Sequence, residues 1–167
     1  MVTTDHDVAL QSSFWHTQVM NTKRVLFAGL SILLPDDWQD VTDDLPTGSP
    51  FTLGKIGNDA LGALQFSVAK YKRGPLPSFT KEKLELMIMD FFRAQSLGEP
   101  HVITTSSNKI ILAKGDFQSE AKYSRIWYVS DRQNIVLVTY TSLQVKSPQL
   151  KNEVDEADAI VNSIEFS

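Results

Sequence analysis

At 167 residues and 42% hydrophobic content, the chain has the length of one domain and enough apolar side chains for one buried core. Its 16 Lys+Arg against 20 Asp+Glu give a net charge of −4, which argues against a general nucleic-acid binder, and the absence of cysteine excludes disulfides, thiolate nucleophiles and Cys-ligated metals. No run approaches the roughly 18 apolar residues of a membrane span, and the amino terminus lacks a basic segment followed by an apolar one, so the expected location is cytoplasmic.

Residues 1–12 are polar and read as a loosely ordered terminal segment, with 13–167 forming one α+β domain. The stretches SFWHTQV and RVLFAGLSILLP are rich in aromatic and β-branched residues and read as strands. Pro35 stops the second, and Gly29 within it predicts a bulge or bend. DLPTGSP is a loop by its proline, glycine and serine content. In ALGALQFSVAKYK, Leu64, Phe66 and Val68 alternate with more polar neighbours, the pattern of a strand with one buried face.

The clearest helix follows. Thr80 is the expected N-cap of KEKLELMIMDFFRAQSL, with Gly98 and Pro100 closing it. Leu84, Met87, Ile88, Phe91 and Phe92 fall on one stripe, and Met89 points away from it. HVITTSS, NKIILAKGDFQSE, KYSRIWYVS and QNIVLVTYTSL are four further strands whose short connections, SDRQN among them, imply an antiparallel meander. A second helix is capped at Ser147 with Pro148 at its first position. Its apolar stripe is Leu150, Val154, Ala157, Val161 and Ile164. The expected fold is therefore α+β: an antiparallel sheet of about six or seven strands flanked by helices.

Five aspartates, Asp36, Asp37, Asp40, Asp43 and Asp44, crowd the exit of the second strand. An EF-hand loop started at Asp36 places Trp38, Val41 and Thr47 at the third, sixth and twelfth positions, so that register fails. The cluster reads as a polar strand exit with a turn at Pro35-Asp36-Asp37. Its functional alternative is a charged protein-binding edge made of Asp37, Asp40, Asp43 and Asp44. His6, His16 and His101 share no ligand spacing, and neither GxSxG, SxxK nor a glycine-rich phosphate loop occurs. The sequence thus nominates no catalytic residue, no metal ligand and no cofactor. Trp38 and Trp127 read as core residues, Trp15 as either core or groove lining, and Lys70-Tyr71-Lys72-Arg73 as a solvated strand end.

RVLFAGLSILLPDDWQDVTD resembles the signature of the Mog/PsbP-like superfamily, in which an aromatic-Gly-Gly entry and a strand precede Pro-x-Gly-aromatic-x-Asp. Phe27, Gly29, Ile32, Pro35, Trp38 and Asp40 stand in those places, while Ala28 and Asp37 replace two of the glycines. The closing ADAIVNSIEF resembles the terminal helix and short strand of the same superfamily, which includes DcrB-like proteins and the Eag chaperones of type VI secretion. The resemblance implies an antiparallel sheet flanked by helices that serves as a binding platform for another protein, such as a toxin, an effector or a GTPase. It points to a non-enzymatic bacterial immunity protein or chaperone-adaptor. The alternatives are a binder of a small apolar ligand or lipid between sheet and helix, and an unrecognised hydrolase.

Overall fold

The structure, a computed structural model, describes residues 20–57 and 60–167. The terminal segment 1–12, the expected strand SFWHTQV, and with them His6, Trp15 and His16 lie outside the described residues.

RVLFAGLSILLP is not one bent strand but a hairpin. Strands β1 (Thr22–Phe27) and β2 (Leu30–Pro35) pair antiparallel, with Phe27 opposite Leu30 across a two-residue turn at Ala28-Gly29. Both turn residues have positive φ, 53° and 73°, the backbone of the tight turn that matches strand twist. Ala28 thus takes a left-handed conformation that a Cβ disfavours, whereas Asp37, in the next turn, has none of that strain. A two-residue strand near the carboxyl end, β10 (Glu165–Phe166), completes a three-stranded sheet in the order β1-β2-β10. Lys70, read from sequence as a solvated charge, instead donates from Nζ to the Gly29 carbonyl at 2.7 Å and ties this hairpin to the strand beside it.

The larger sheet has seven antiparallel strands. In chain order they are β3 (Trp38–Asp40), β4 (Phe51–Lys55), β5 (Gly62–Ala69), β6 (Ile103–Ser106), β7 (Ile111–Gln118), β8 (Tyr123–Ser130) and β9 (Ile135–Ser142). Their spatial order is β3-β4-β5-β9-β8-β7-β6. The expected α+β architecture is present, and its strand count matches this sheet; the small sheet is additional. The β6–β9 meander joins β5 through its last strand, in register from Gly62 opposite Ser142 to Ala69 opposite Ile135.

Helix α1 (Lys81–Ala94) packs on one face of the sheet over β6, β7 and β8. Leu84, Ile88 and Phe92 pack there on Ile111, Ala113 and Ile126. Helix α2 (Leu150–Asn162) and the small sheet cover the other, around Trp127, Tyr140, Phe66 and Leu64. Strand β8 shows how alternation serves both layers: Tyr123, Trp127 and Val129 face α2, while Ile126 and Tyr128 face α1.

Thr80 caps α1 as expected, its hydroxyl accepting from the Lys83 amide at 3.2 Å. The helix stops three residues before the predicted Leu97. Leu97 N donates to Phe92 O at 2.9 Å and Ser96 N to Arg93 O at 3.2 Å, a Schellman ending with Ser96 at φ 55° where glycine is usual. Gly98, the sequence-level stop signal, lies two positions too late. Helix α2 also starts later than Pro148. Leu150 N bonds Ser147 O in a tight turn, and the first four-residue helical bond runs from Glu153 N to Gln149 O.

Ala28 and Ser96 therefore carry avoidable backbone strain. Ala28→Asn and Ser96→Gly are each expected to raise unfolding free energy by about 0.5–1 kcal/mol, read by denaturant titration; no change in either would show that the left-handed backbone is relaxed there.

Candidate functional site

The sequence-nominated aspartates lie along one end of the large sheet, on and beside edge strand β3. Asp40 ends that strand. Its Oδ1 accepts from the Thr42 amide at 2.9 Å and from the Thr42 hydroxyl at 2.6 Å, and the same hydroxyl accepts from the Thr52 amide at 2.9 Å. This chain of bonds holds the 3-10 turn Thr42–Asp44 against β4. Asp37 precedes the strand and forms an ion pair with Lys55 at 3.3 Å. Asp43 and Asp44 project from the turn, exposed, with no side-chain hydrogen bond or ion pair to any described residue. All four thus lie on or beside the β3 edge; two help hold the fold and two are left to solvent. Among the described residues no group of three His, Asp or Glu side chains is placed to hold a metal ion.

Behind the edge lies a set of carboxylates that the sequence reading missed. Trp38 is buried as expected, and its indole N–H donates to Glu156 Oε2 of α2 at 2.8 Å. Lys55 reaches the same carboxylate at 3.0 Å. Burial works against the Lys55 charge, but the hydrogen bond and charge of Glu156, with Asp37 behind them, outweigh it and raise its pKa. The arrangement recurs on the other side of the helix. Trp127 Nε1 donates to Asp158 Oδ1 at 2.9 Å, and Lys114 pairs with the same oxygen at 2.9 Å. Arg125 stands 3.7 Å from Asp158 and binds Asp116 through two nitrogens, at 2.6 and 2.7 Å, which holds the guanidinium charged.

Between the two flanks sits Glu153, only 2% exposed. It has no cationic partner among the described residues. Its carboxylate accepts from the amides of Leu61 (3.1 Å) and Gly62 (2.9 Å) and from the Tyr140 hydroxyl (2.9 Å). Burial first, and then the neighbouring carboxylate, push the Tyr140 hydroxyl far above its usual pKa and keep it a donor. One sequence signal marked Glu153: it lies three residues after Leu150 and four before Ala157, inside the apolar stripe of α2. Gly62 is required for the approach, because a Cβ there would stand 2.7 Å from the Tyr140 hydroxyl oxygen.

A groove of about 590 Å³ opens beside the first half of α2, lined chiefly by polar side chains that include Lys55, Gln144, Gln149, Asn152 and Glu156. Of the carboxylates lining it, Glu153 and Glu156 are held by structural donors, while Asp37 has its one ion pair with Lys55 and stays half exposed. His101 stands in the connection between α1 and β6 and joins none of these networks. The sheet–helix interfaces, where a small apolar ligand was a sequence-level alternative, are occupied by Leu84, Ile88 and Phe92 on one face and Trp127, Ala157 and Ile160 on the other, all essentially inaccessible.

Neither a protein-family model nor a curated protein matches the sequence. Solved structures do match. The cyanobacterial PsbP protein, CyanoP, of Synechocystis sp. aligns with 94% of this chain and 99% of its own at 12% identity and a TM-score of 0.55. The fold is PsbP-like. A structure from Bacteroides thetaiotaomicron aligns with 89% of this chain at 15% identity and a TM-score of 0.54. This chain spans about half (49%) of that one. At such identities the PsbP-like likeness establishes the architecture and nothing finer.

Glu153 and Tyr140 act as one unit. Tyr140→Phe is expected to cost about 1 kcal/mol, and Glu153→Ala about 3 kcal/mol because it strands two buried amides. The double variant should fall short of the sum by roughly 1 kcal/mol in urea unfolding, and strict additivity would show that the two side chains do not share a bond.

Proposed function

We propose that this chain is a non-catalytic protein-binding module, a cytoplasmic immunity protein or chaperone-adaptor that takes a basic toxin or effector against its β3 edge. The observation that carries this reading is the state of the four aspartates. Asp37 and Asp40 fix the backbone of the edge, while Asp43 and Asp44 stand beside them, exposed and uncompensated by any described cation. A rigid row of like charges at the end of a sheet raises the encounter rate of an oppositely charged partner and makes association salt-dependent.

The rest of the site agrees with a platform rather than an active centre. Carboxylates that could do acid–base work are bound to indole, ammonium or amide donors whose job is to hold α2. The groove beside α2 is lined mainly by amides, hydroxyls and charges, a surface suited to a polar protein segment rather than to an acyl chain. The resemblance to DcrB-like proteins and Eag chaperones rests on the two short motifs around Phe27–Asp40 and at the closing helix. It supplies the secreted-effector class of partner.

The test compares the wild-type chain with an Asp43→Asn/Asp44→Asn variant as bait in a lysate of the native organism, at low and moderate salt. Those two side chains hold nothing internal, so unfolding free energy should stay within about 0.5 kcal/mol of wild type. A partner captured stoichiometrically by the wild type should be lost as salt rises and should associate about tenfold more slowly with the variant at low salt. Equal capture by both baits at both salts would remove the edge from the binding reaction.

A further inference from the structure

The large sheet ends at β3 on one side and at β6 on the other, and these ends differ in kind. Strand β3 is three residues long, ends in Asp40 and is followed by the 3-10 turn. In the small sheet, β1 carries Lys23 and Arg24, and β10 has only two residues. Shortness and charge are the usual means by which an edge avoids pairing with another chain. Strand β6 has neither charge nor proline: from His101 to Asn108 the sequence HVITTSSN contains no Lys, Arg, Asp, Glu or Pro.

Its backbone is set for pairing. Ser107 N donates to Ile110 O at 2.8 Å across a two-residue turn, which makes Ser107 and Ile110 a hydrogen-bonded pair. Antiparallel alternation then turns the amides and carbonyls of Ile103 and Thr105 toward Lys114 and Leu112 of β7, and those of Thr104 and Ser106 away from it. Those two donors and two acceptors have no strand beside them among the described residues. Apolar side chains flank the edge on both faces. Ile103 is 47% exposed on one. On the other, Phe91 faces the groove with Ser124, Thr139 and Thr141, so Met89, about 200° away around α1, faces the β6 side, where it borders a groove with Gly98 and Pro100.

We propose that β6 pairs antiparallel with β6 of a second copy of this chain, about a two-fold axis at Thr105, so that two seven-stranded sheets run into one. Thr104 of each copy then lies opposite Ser106 of the other, and the outward amides and carbonyls of both strands are used in four hydrogen bonds. Thr105 faces Thr105, a favourable cross-strand pair. A second copy fits better than an unrelated segment. Residues 101–108 carry no Lys, Arg, Asp or Glu, so self-pairing sets no like charges directly opposite one another, and Thr104 and Ser106 on either side of Thr105 are both small hydroxyl residues. The same pairing at β1 or β3 would set like charges side by side. Strand β6 is at the far end of the sheet from β3, so the pairing neither needs nor blocks the acidic edge.

Sedimentation equilibrium of the full chain over a broad concentration range tests this, with Thr105→Lys and Thr105→Glu as probes. Thr105 is exposed, so both variants should fold. The wild type should approach twice the monomer mass. Each variant alone should remain monomeric to at least tenfold higher concentration, and an equimolar mixture should recover the dimer mass, since lysine then faces glutamate across the axis. A wild type that stays monomeric throughout, or variants that dimerise as it does, would overturn the pairing.

Discussion

The architecture depends on three carboxylates carried by one helix. Glu156 of α2 binds Trp38 of β3 and Lys55 of β4; Glu153 binds Gly62 of β5 and Tyr140 of β9; Asp158 binds Trp127 of β8 and Lys114 of β7. Six of the seven strands of the large sheet are thus clipped to α2. The helical positions explain how. Glu153 falls near the middle of the apolar stripe, while Glu156 and Asp158 fall on its two flanks and reach outward in opposite directions across the sheet. Apolar burial alone would hold the helix against the sheet but leave its rotation and slide weakly determined, because that force has no direction. An ion pair withdrawn from water gains little net free energy over a well-packed apolar substitute, yet loss of one partner costs about 3–5 kcal/mol. The three acids therefore act against misplacement of α2 more than they drive its docking.

That constraint also explains why two tryptophans are buried with polar atoms satisfied. An indole can enter a core only where its N–H finds an acceptor. Trp38 and Trp127 each find one on α2, and in each case a lysine from a neighbouring strand balances the charge. A Trp–carboxylate–Lys unit on either side of the helix is the same solution used twice.

Much of the fold was legible in the sequence. Period-two alternation located β5, four runs with short connections located the meander β6–β9, and the Thr80 cap and the stripe through Leu84, Ile88 and Phe92 located α1. Two of the differences share a cause. A lone Gly29 inside an apolar run reads as a bulge or bend, whereas the turn found there has two positive φ values and seldom carries an alanine such as Ala28. Gly98 as the stop signal puts the end of α1 at Leu97, whereas the left-handed residue that ends it is Ser96. In both places the backbone adopts a strained form without the residue that announces it. The aspartate row was visible as a row. Asp37 bonds inward only because Lys55 arrives from another strand, whereas Asp40 bonds locally to the Thr42 amide and hydroxyl, and Asp43 and Asp44 bond no described residue. Glu153 lay in plain sight within an apolar stripe, but its partners Leu61, Gly62 and Tyr140 are 92, 91 and 13 residues away in sequence, and no local pattern connects them.

The two ends of the large sheet carry the functional argument a step further. Helix α1 packs chiefly over β6, β7 and β8, so besides the two edges the sheet leaves Gln65, Ser67, Thr139 and Thr141 of the middle strands β5 and β9 partly or fully exposed on the α1 side. At β3, charge and a 3-10 turn obstruct backbone pairing, so what that edge offers is side-chain charge. At β6 the balance is reversed: charge is absent and two residues' backbone groups point outward. An edge recognised through its charge tolerates varied partner backbones, whereas an edge recognised through its backbone demands a strand in one register. The first property suits a surface that must meet another protein quickly; the second suits contact with a chain whose geometry is fixed in advance, as that of an identical copy is.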